Sequence, residues 1–406
     1  MKICLMSQED VVKPQGGTGT YVRNISMVLA ARGHEVHAIT RRRENAPAFE
    51  VVEKVQVHRV EAPGPPVLYS PLYFQQSKRK FQELSARGRF DVVQGNMPMM
   101  SSWGLSGRDM PPIIETIHCT VREELKALAK TSMGRLNLNE VLAQALASVW
   151  QTRERKLLDR ASHVISVSQG LKHELIEQYG YPGGKIEVIP NGVDYVRFSK
   201  DASINTSAVR DALGIDPNER VILYLGRLME RKRVIDLVKA MPQILQKIPN
   251  ARLVVVGKRN SNAEHIEQTA RELFLDAKVT MVDHVPYQEV PSYYAMADVY
   301  ALPSSYEGFP FTILEAMAAG TPVVASNIPG IDEQIVPFET GLLHPVGDID
   351  MIASHIVQLL EGPSLAIKLS AAGKRLVEEK YDWGIIGEMT EKAFKRVAAQ
   401  GEMVAA

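Results

Sequence analysis

The sequence predicts an α/β protein built of two doubly wound domains with parallel sheets. Three observations carry this. Apolar runs of strand length alternate with helix-length periodic stretches along nearly all of the 406 residues. Most of those runs are rich in Val and Ile, as strands covered on both faces are. A polar, aperiodic stretch at 195–205 interrupts the pattern before it restarts, and a chain of this length suits two large domains.

In the first half, strands are predicted at 2–6, 35–40, 55–59, 91–95, 112–118, 163–168 and 187–190. A helix opens after QGGTGTY at 15–21, with Val22, Ile25, Val28 and Leu29 on one face. In the second half, strands are predicted at 220–226, 251–257, 278–282, 298–303, 321–326 and 341–344. Helices fall between them at 234–248, 265–275, 290–297 and 312–319. The expected domains are therefore 1–200 and 201–380, followed by a final helix in 381–406. In such folds ligands bind beyond the carboxyl ends of the strands, and two such domains facing each other leave a cleft.

Composition narrows the class further. Hydrophobic residues make up 45% and charged residues 23%, ordinary for a globular protein and foreign to disordered, collagen-like or coiled-coil chains. Two cysteines, Cys4 and Cys119, supply neither a disulfide framework nor a zinc set. No apolar run is long enough to span a membrane, and MKICLMS runs straight into polar SQED without the apolar stretch of a secretory signal. A cytoplasmic setting is the expectation, with peripheral contact at the inner face of the membrane as a variant. The zero net charge divides unevenly. Residues 1–200 hold 27 Lys+Arg and 20 Asp+Glu, whereas residues 201–406 hold 20 and 27. Either the two halves attract each other or they meet different ligands.

The residues with chemistry sit just after predicted strands. PSSYEGFPFTILEAMAAG at 303–320 places Glu307 in a loop and Glu315 about one turn inside a helix that Pro310 opens and Gly320 closes. The free N–H groups near Phe311 and Thr312 suit an anion. Carboxylates beside an anion site would repel that anion. Their expected task is to accept hydrogen bonds from vicinal hydroxyls on a ligand that also carries phosphate, the shape of a nucleotide sugar. The other reading is plain capping and a solvated helix face.

GRLMERKR at 226–233 supplies Arg227 and Lys232, a fork and a point charge that suit a diphosphate. A basic helix start on the surface is the alternative. Gly17 and Gly19 do not complete a dinucleotide fingerprint, since Val22 occupies the third glycine's place. A loop that lets backbone approach phosphate or sugar, and an ordinary turn, both remain. His118 closes the strand IIETIH, where a functional and a packed histidine are both compatible with its place. Asp348-Ile-Asp350 looks like a metal-binding pair but reads better as a helix cap, and His34 and His37 point to opposite faces of a strand. No metal or other cofactor is expected.

Together these residues resemble the retaining GT-B glycosyltransferases of glycosyltransferase family four. The resemblance rests on GGTGTY, on ASHVISVSQGLK with Ser168, on VIPNGVD with Asn191, on GRLMERK, and above all on Glu307 and Glu315 in SSYEGFPFTILEAMAAGTPVVAS. It covers almost the whole chain. It implies an N-terminal domain that binds the acceptor, a C-terminal domain that binds a UDP- or GDP-linked sugar, and a last helix that crosses back to the first domain. By position, Arg227 and Lys232 hold the diphosphate, Glu307 contacts the donor sugar and Glu315 the ribose diol. Gly308, Phe309, Phe311, Thr312, Ser168 and Asn191 belong to the same donor set. Gly17 lies near the phosphate, Val285 near the base, and His118 approaches the sugar. Two departures stand out: Asp283 and Arg233 occupy positions where the family usually has glycine.

The expected acceptor is a lipid, a glycan, or a sugar or inositol phosphate; nucleic acid is not expected. FQQSKRKFQELSARGR at 74–89 reads as a helix with Lys78, Arg79 and Lys80 opposite an apolar side of Phe74, Phe81 and Leu84. Together with Arg41 after its strand, this suits an anionic surface or an anionic acceptor. A solvated surface helix is the plainer reading. Residues 120–149 are expected to form a helical flap on the acceptor side. A sugar-nucleotide epimerase and a non-catalytic nucleotide-sugar binder are the alternative functions. A phosphorylase-like reading lacks both chain length and a suitable lysine.

Overall fold

The computed structural model describes the chain except for residues 15, 64–69, 99, 106–109, 130–146, 201–203 and 406. It divides into two compact units. The first takes in the described residues up to Asn191 together with the helix Trp383–Ala405, and the second runs from Gly192 to Asp382. The division thus falls at Asn191–Gly192, ahead of residue 200, and most of the expected flap lies outside the described residues.

The strands of the first unit are β1 Lys2–Ser7, β2 Glu35–Arg41, β3 Phe49–Val52, β4 Val55–Val60, β5 Val92–Met97, β6 Ile113–Ile117, β7 His163–Ser166 and β8 Ile186–Val188. They form one eight-stranded sheet in the order β3-β4-β2-β1-β5-β6-β7-β8. All neighbours are parallel except β3 and β4. The antiparallel edge strand β3 departs from the all-parallel expectation. Glu53 and Lys54 both take left-handed conformations, the geometry of a two-residue hairpin turn that usually carries Asn-Gly. Without that signature the turn is silent in the sequence.

The helix Gly17–Ala31 buries Tyr21, Val22, Ile25 and Leu29. The last helix packs on it through a close approach. A Cβ at Gly387 would lie 2.1 Å from Val28 Cγ1, so only glycine allows this spacing. Glu391 on the same helix binds Arg32 at 2.6 Å and His34 at 3.1 Å.

The helix Pro71–Ala86 buries Tyr73, Phe74, Phe81 and Leu84 in its own unit. The apolar side expected to lie on a membrane is therefore already occupied by the core. The charged side, with Lys78 and Arg79, faces out, Leu72 is exposed at the helix start, and Lys80 and Arg87 pair with Glu83. Arg41 also departs from expectation. It ends β2 at 5% exposure, donating to Gln8 Oε1 at 2.7 Å and to the Ala62 carbonyl at 2.8 Å, and is withdrawn from any surface. Among the described residues, no helix is long and apolar enough to cross a membrane.

The second unit contains β9 Arg220–Leu225, β10 Ala251–Val256, β11 Val279–Val282, β12 Val299–Leu302, β13 Val323–Ser326 and β14 Leu342–His344. This six-stranded sheet is wholly parallel, in the order β11-β10-β9-β12-β13-β14. The strand order reverses between β9 and β12, which sets the loops after those two strands side by side. The stretch expected to be irregular holds a short helix, Tyr195–Lys200, whose Tyr195 and Phe198 are buried. Two apolar positions in under two turns are too few to register as periodicity.

His37 on β2 and His58 on β4 are buried and share a hydrogen bond of 3.0 Å. His37 also meets Glu35, while Lys2, Lys80, Glu83 and Arg87 surround the pair. Burial lowers both imidazoles. His58 falls to about 4, helped by the neighbouring His37. The unfolded chain therefore binds more protons than the folded one between about pH 4 and 6.5, so stability is full above that window and is lost as pH falls through it. Urea unfolding at pH 7 and pH 5 should differ on the order of 1–3 kcal/mol more in the native chain than in a His58→Phe variant. Equal pH dependence in the two proteins would show that the pair is not held neutral.

Candidate functional site

In the second unit, two loops meet at the point where the strand order reverses. After β9 the chain runs through Gly226–Met229 into a tight turn, Glu230–Lys232, and then into the helix Val234–Lys247. After β12 it passes Ser304 and Glu307 and enters the helix Phe311–Ala319. The loops are stitched together by backbone: Ser305 N–H donates to the Arg231 carbonyl at 2.8 Å. Beneath them, Tyr224 O–H donates to the Arg227 carbonyl at 2.8 Å and Tyr300 O–H to the Leu225 carbonyl at 3.4 Å.

Lys232 Nζ pairs with Glu307 Oε1, their side chains only 14% and 7% exposed. Ser304 Oγ donates to the same carboxylate at 2.6 Å. Burial alone would raise the Glu307 carboxyl. Lys232 and Arg231, with the Lys232 and Ser304 hydrogen bonds, outweigh it and hold the group below the usual carboxylate range. Burial and the neighbouring cations Arg231 and Arg227 pull the Lys232 ammonium down, against the attraction of Glu307.

Glu315 behaves in the opposite way. Burial raises its carboxyl, opposed by a 2.8 Å hydrogen bond from Tyr294 O–H and by the charge of Arg197. One carboxylate is thus held ionised by cations and the other sits in an environment that discourages charge, so the two are suited to different ligand groups. Pro310 caps its helix with no side-chain acceptor. Gly308, Phe309, Phe311 and Thr312 follow Glu307 directly, and Phe309 packs on Tyr381 with ring centroids 5.5 Å apart.

Other expected residues are placed as follows. Val285 is buried in the loop after β11. Asp283 accepts from the Arg259 N–H at 2.5 Å, so one of its oxygens is engaged in shaping the loop after β10. Asp348 caps the helix Ile349–Glu361 by accepting from Met351 N–H at 2.9 Å. Arg233 adopts a left-handed conformation, the one that glycine favours. In the first unit, Ser168 caps the helix Gln169–Tyr179, accepting from Leu171 N–H at 3.1 Å, and Asn191 is buried at the end of the unit. Gly17 begins its helix directly after Gly16, whose N–H donates to Glu9 Oε2 at 2.8 Å. His118 lies just beyond β6, half-buried, with Nε2 3.2 Å from Asn96 Oδ1. The sequence reading missed Arg231, Ser304, Tyr294 and Arg197, because a buried hydroxyl or a second arginine carries no spacing signal of its own.

Two open sheets with polar residues gathered beyond the carboxyl ends of their strands, built as in the solved structure below, define the class: this is the GT-B fold. Residues 15–197 match the model described as Glycosyltransferase Family 4, and residues 205–376 match Glycosyl transferases group 1. The chain belongs to glycosyltransferase family four. An uncharacterized glycosyltransferase of Methanocaldococcus jannaschii is 28% identical over 97% of this chain and 98% of its own length. A D-inositol 3-phosphate glycosyltransferase of Segniliparus rotundus is 28% identical over 88% of this chain and 80% of its own. The solved sucrose-phosphate synthase of Thermosynechococcus elongatus superposes with a TM-score of 0.80 at 26% identity, covering 98% of this chain and 99% of that one.

The loop holding Glu307 is braced from behind by Gly330, whose φ is +85° and whose added Cβ would lie 2.3 Å from the Gly308 carbonyl oxygen. Gly320 has a similar φ of +79° but open space around it. Gly320→Ala should therefore cost about 1–2 kcal/mol for the left-handed backbone alone. Gly330→Ala should cost clearly more, because backbone has to move. Equal losses in urea unfolding would mean that this contact does not hold the loop.

Proposed function

We propose that the chain moves a sugar from a UDP- or GDP-linked donor to an acceptor hydroxyl, with retention of anomeric configuration and without a metal. The observation that carries this is the charge arrangement after β9. Arg231 and Arg227 bear on Lys232, and Lys232 and Arg231 bear on Glu307, which is held below the usual carboxylate range. Cations placed in this way, with Arg227 exposed and Lys232 largely buried, suit a diphosphate. Glu315, with Tyr294 and Arg197, offers the neighbouring acceptor for a diol.

In this reaction the acceptor oxygen attacks the anomeric carbon on the face from which the diphosphate leaves. The carbon–oxygen bond to phosphate breaks, and the hydroxyl proton passes to the departing phosphate oxygen. Lys232 and Arg227 offset the charge that builds on that phosphate, and Glu307 orients the sugar hydroxyls. No protein base is required, in keeping with the absence of an obvious one in the sequence.

We infer an acceptor that is a phosphorylated polyol or sugar rather than a lipid. Two names support this: one relative is called a D-inositol 3-phosphate glycosyltransferase and the solved neighbour a sucrose-phosphate synthase. The burial of the apolar side of Pro71–Ala86 removes the feature that favoured a lipid.

Calorimetric titration with UDP, GDP and ADP should show binding of one nucleotide, unchanged by chelation. Arg227→Ala or Lys232→Ala should lower kcat/KM by roughly 30- to 1000-fold, or about 2–4 kcal/mol. Glu307→Ala should abolish transfer while the nucleotide still binds. An inverted anomer in the product, read by NMR, or strict metal dependence would defeat the proposal.

A further inference from the structure

His118 is surrounded by a network that leaves its ring little freedom. Asn96 is fully buried near the end of β5, one strand over from β6. Its amide nitrogen donates to the Met6 carbonyl at 3.0 Å. Its backbone N–H donates to Ser101 Oγ at 2.8 Å. A carbonyl oxygen only accepts, so the Asn96 amide has one workable orientation: nitrogen toward Met6, oxygen toward His118. Turning it over would set oxygen against oxygen.

The consequence reaches the imidazole. Asn96 Oδ1 lies 3.2 Å from His118 Nε2 and can only accept, so Nε2 carries the hydrogen. In a neutral ring the lone pair is then on Nδ1. Burial holds His118 down to about 3, which keeps the ring neutral. Tyr21 stands edge-on to the ring at 4.7 Å between centroids, and Tyr21 is itself fixed by a 3.0 Å hydrogen bond from Gln94 Nε2 and by Trp383 at 6.0 Å.

We propose that Asn96 is a positioning residue that locks His118 as the Nε2–H tautomer, so that Nδ1 accepts a hydrogen bond from a substrate hydroxyl. His118 then serves as an oriented neutral acceptor and carries no charge to the reaction. That a sugar hydroxyl is the group met rests on the function proposed above. The locking itself does not.

The test uses the full-length chain labelled with ¹⁵N-histidine. Two-bond proton–nitrogen spectra at pH 7, with the His118 signals identified by their loss in His118→Ala, should show a single Nε2–H tautomer. An Nδ1–H tautomer or an imidazolium in the native protein would overturn the proposal, whether or not any variant folds. Asn96→Ala, checked for folding by circular dichroism, should give mixed tautomers. Its kcat for nucleoside diphosphate release from UDP-glucose or GDP-mannose, whichever nucleotide binds, should fall about tenfold or more, with KM changed less than about threefold. The double variant should be no worse than His118→Ala alone. Independent, additive losses would mean that Asn96 does not act through His118. A fully active His118→Ala would overturn the role of Nδ1 toward a substrate hydroxyl, would leave the tautomer result standing, and would not touch the function proposed above, which rests on the charges after β9.

Discussion

The pairing of Lys232 with Glu307 is the constraint on which the rest of the second unit depends. Two charges almost out of contact with water are costly to desolvate, and their attraction repays that cost only when geometry is good and the remaining lone pairs are filled. The sheet supplies the geometry. β9 and β12 lie next to each other in register, although β10 and β11 intervene in sequence, and that adjacency brings the two loops together. Ser304 fills a further position on the carboxylate, and the Ser305–Arg231 backbone bond fixes the spacing. A reversal of strand order thus becomes a local electrostatic arrangement, one that a ligand phosphate can compete for.

The same loop shows how a departure from the family pattern is accommodated. Arg233 stands in a left-handed conformation that disfavours a side chain by about 1–2 kcal/mol. Its Nε donates to Asp236 at 2.6 Å, and Asp236 is buried, so the guanidinium neutralises a carboxylate that would otherwise lie uncompensated. Gly347 makes room for the arginine: a Cβ there would fall 2.9 Å from Arg233 Nη2. A glycine at 233 would relax the backbone but strand Asp236. The substitution therefore belongs to a set of three positions, and the Lys232 turn keeps its shape because the set is complete.

Much of this was legible in the sequence, for identifiable reasons. Buried parallel strands announce themselves as Val- and Ile-rich runs, and the helix Phe311–Ala319 is bracketed by Pro310 and by Gly320 in a left-handed cap. Glu307 and Glu315 stand out because carboxylates beside a helix start that suits an anion would repel that anion and so need another task. What stayed hidden was either too short or dependent on tertiary contact. The β3–β4 hairpin turns on Glu53-Lys54, which carries no turn signature. The apolar side of Pro71–Ala86 looks the same whether it meets a core or a bilayer, and only the fold shows that the core has it. Tyr294 and Ser304 contribute single hydroxyls and Asn96 one amide, whose importance comes from what lies opposite them.

The two units handle polar groups by different physics, and this bears on what each is suited to do. The second concentrates full charges, with Lys232 and Arg231 near the ionised carboxylate of Glu307. The first holds its polar groups near His118 neutral: Asn96, Gln94, Thr116, Tyr21 and an imidazole from which burial excludes the proton. Neutral networks are insensitive to the charge of a ligand but strict about direction, because each donor and acceptor is already committed. The charged site is thus suited to grip and to offset developing charge, and the neutral one to orient. The reaction proposed above, whose proton travels within the substrates themselves, asks the protein for those two services, and in it neither unit has to supply a titrating group.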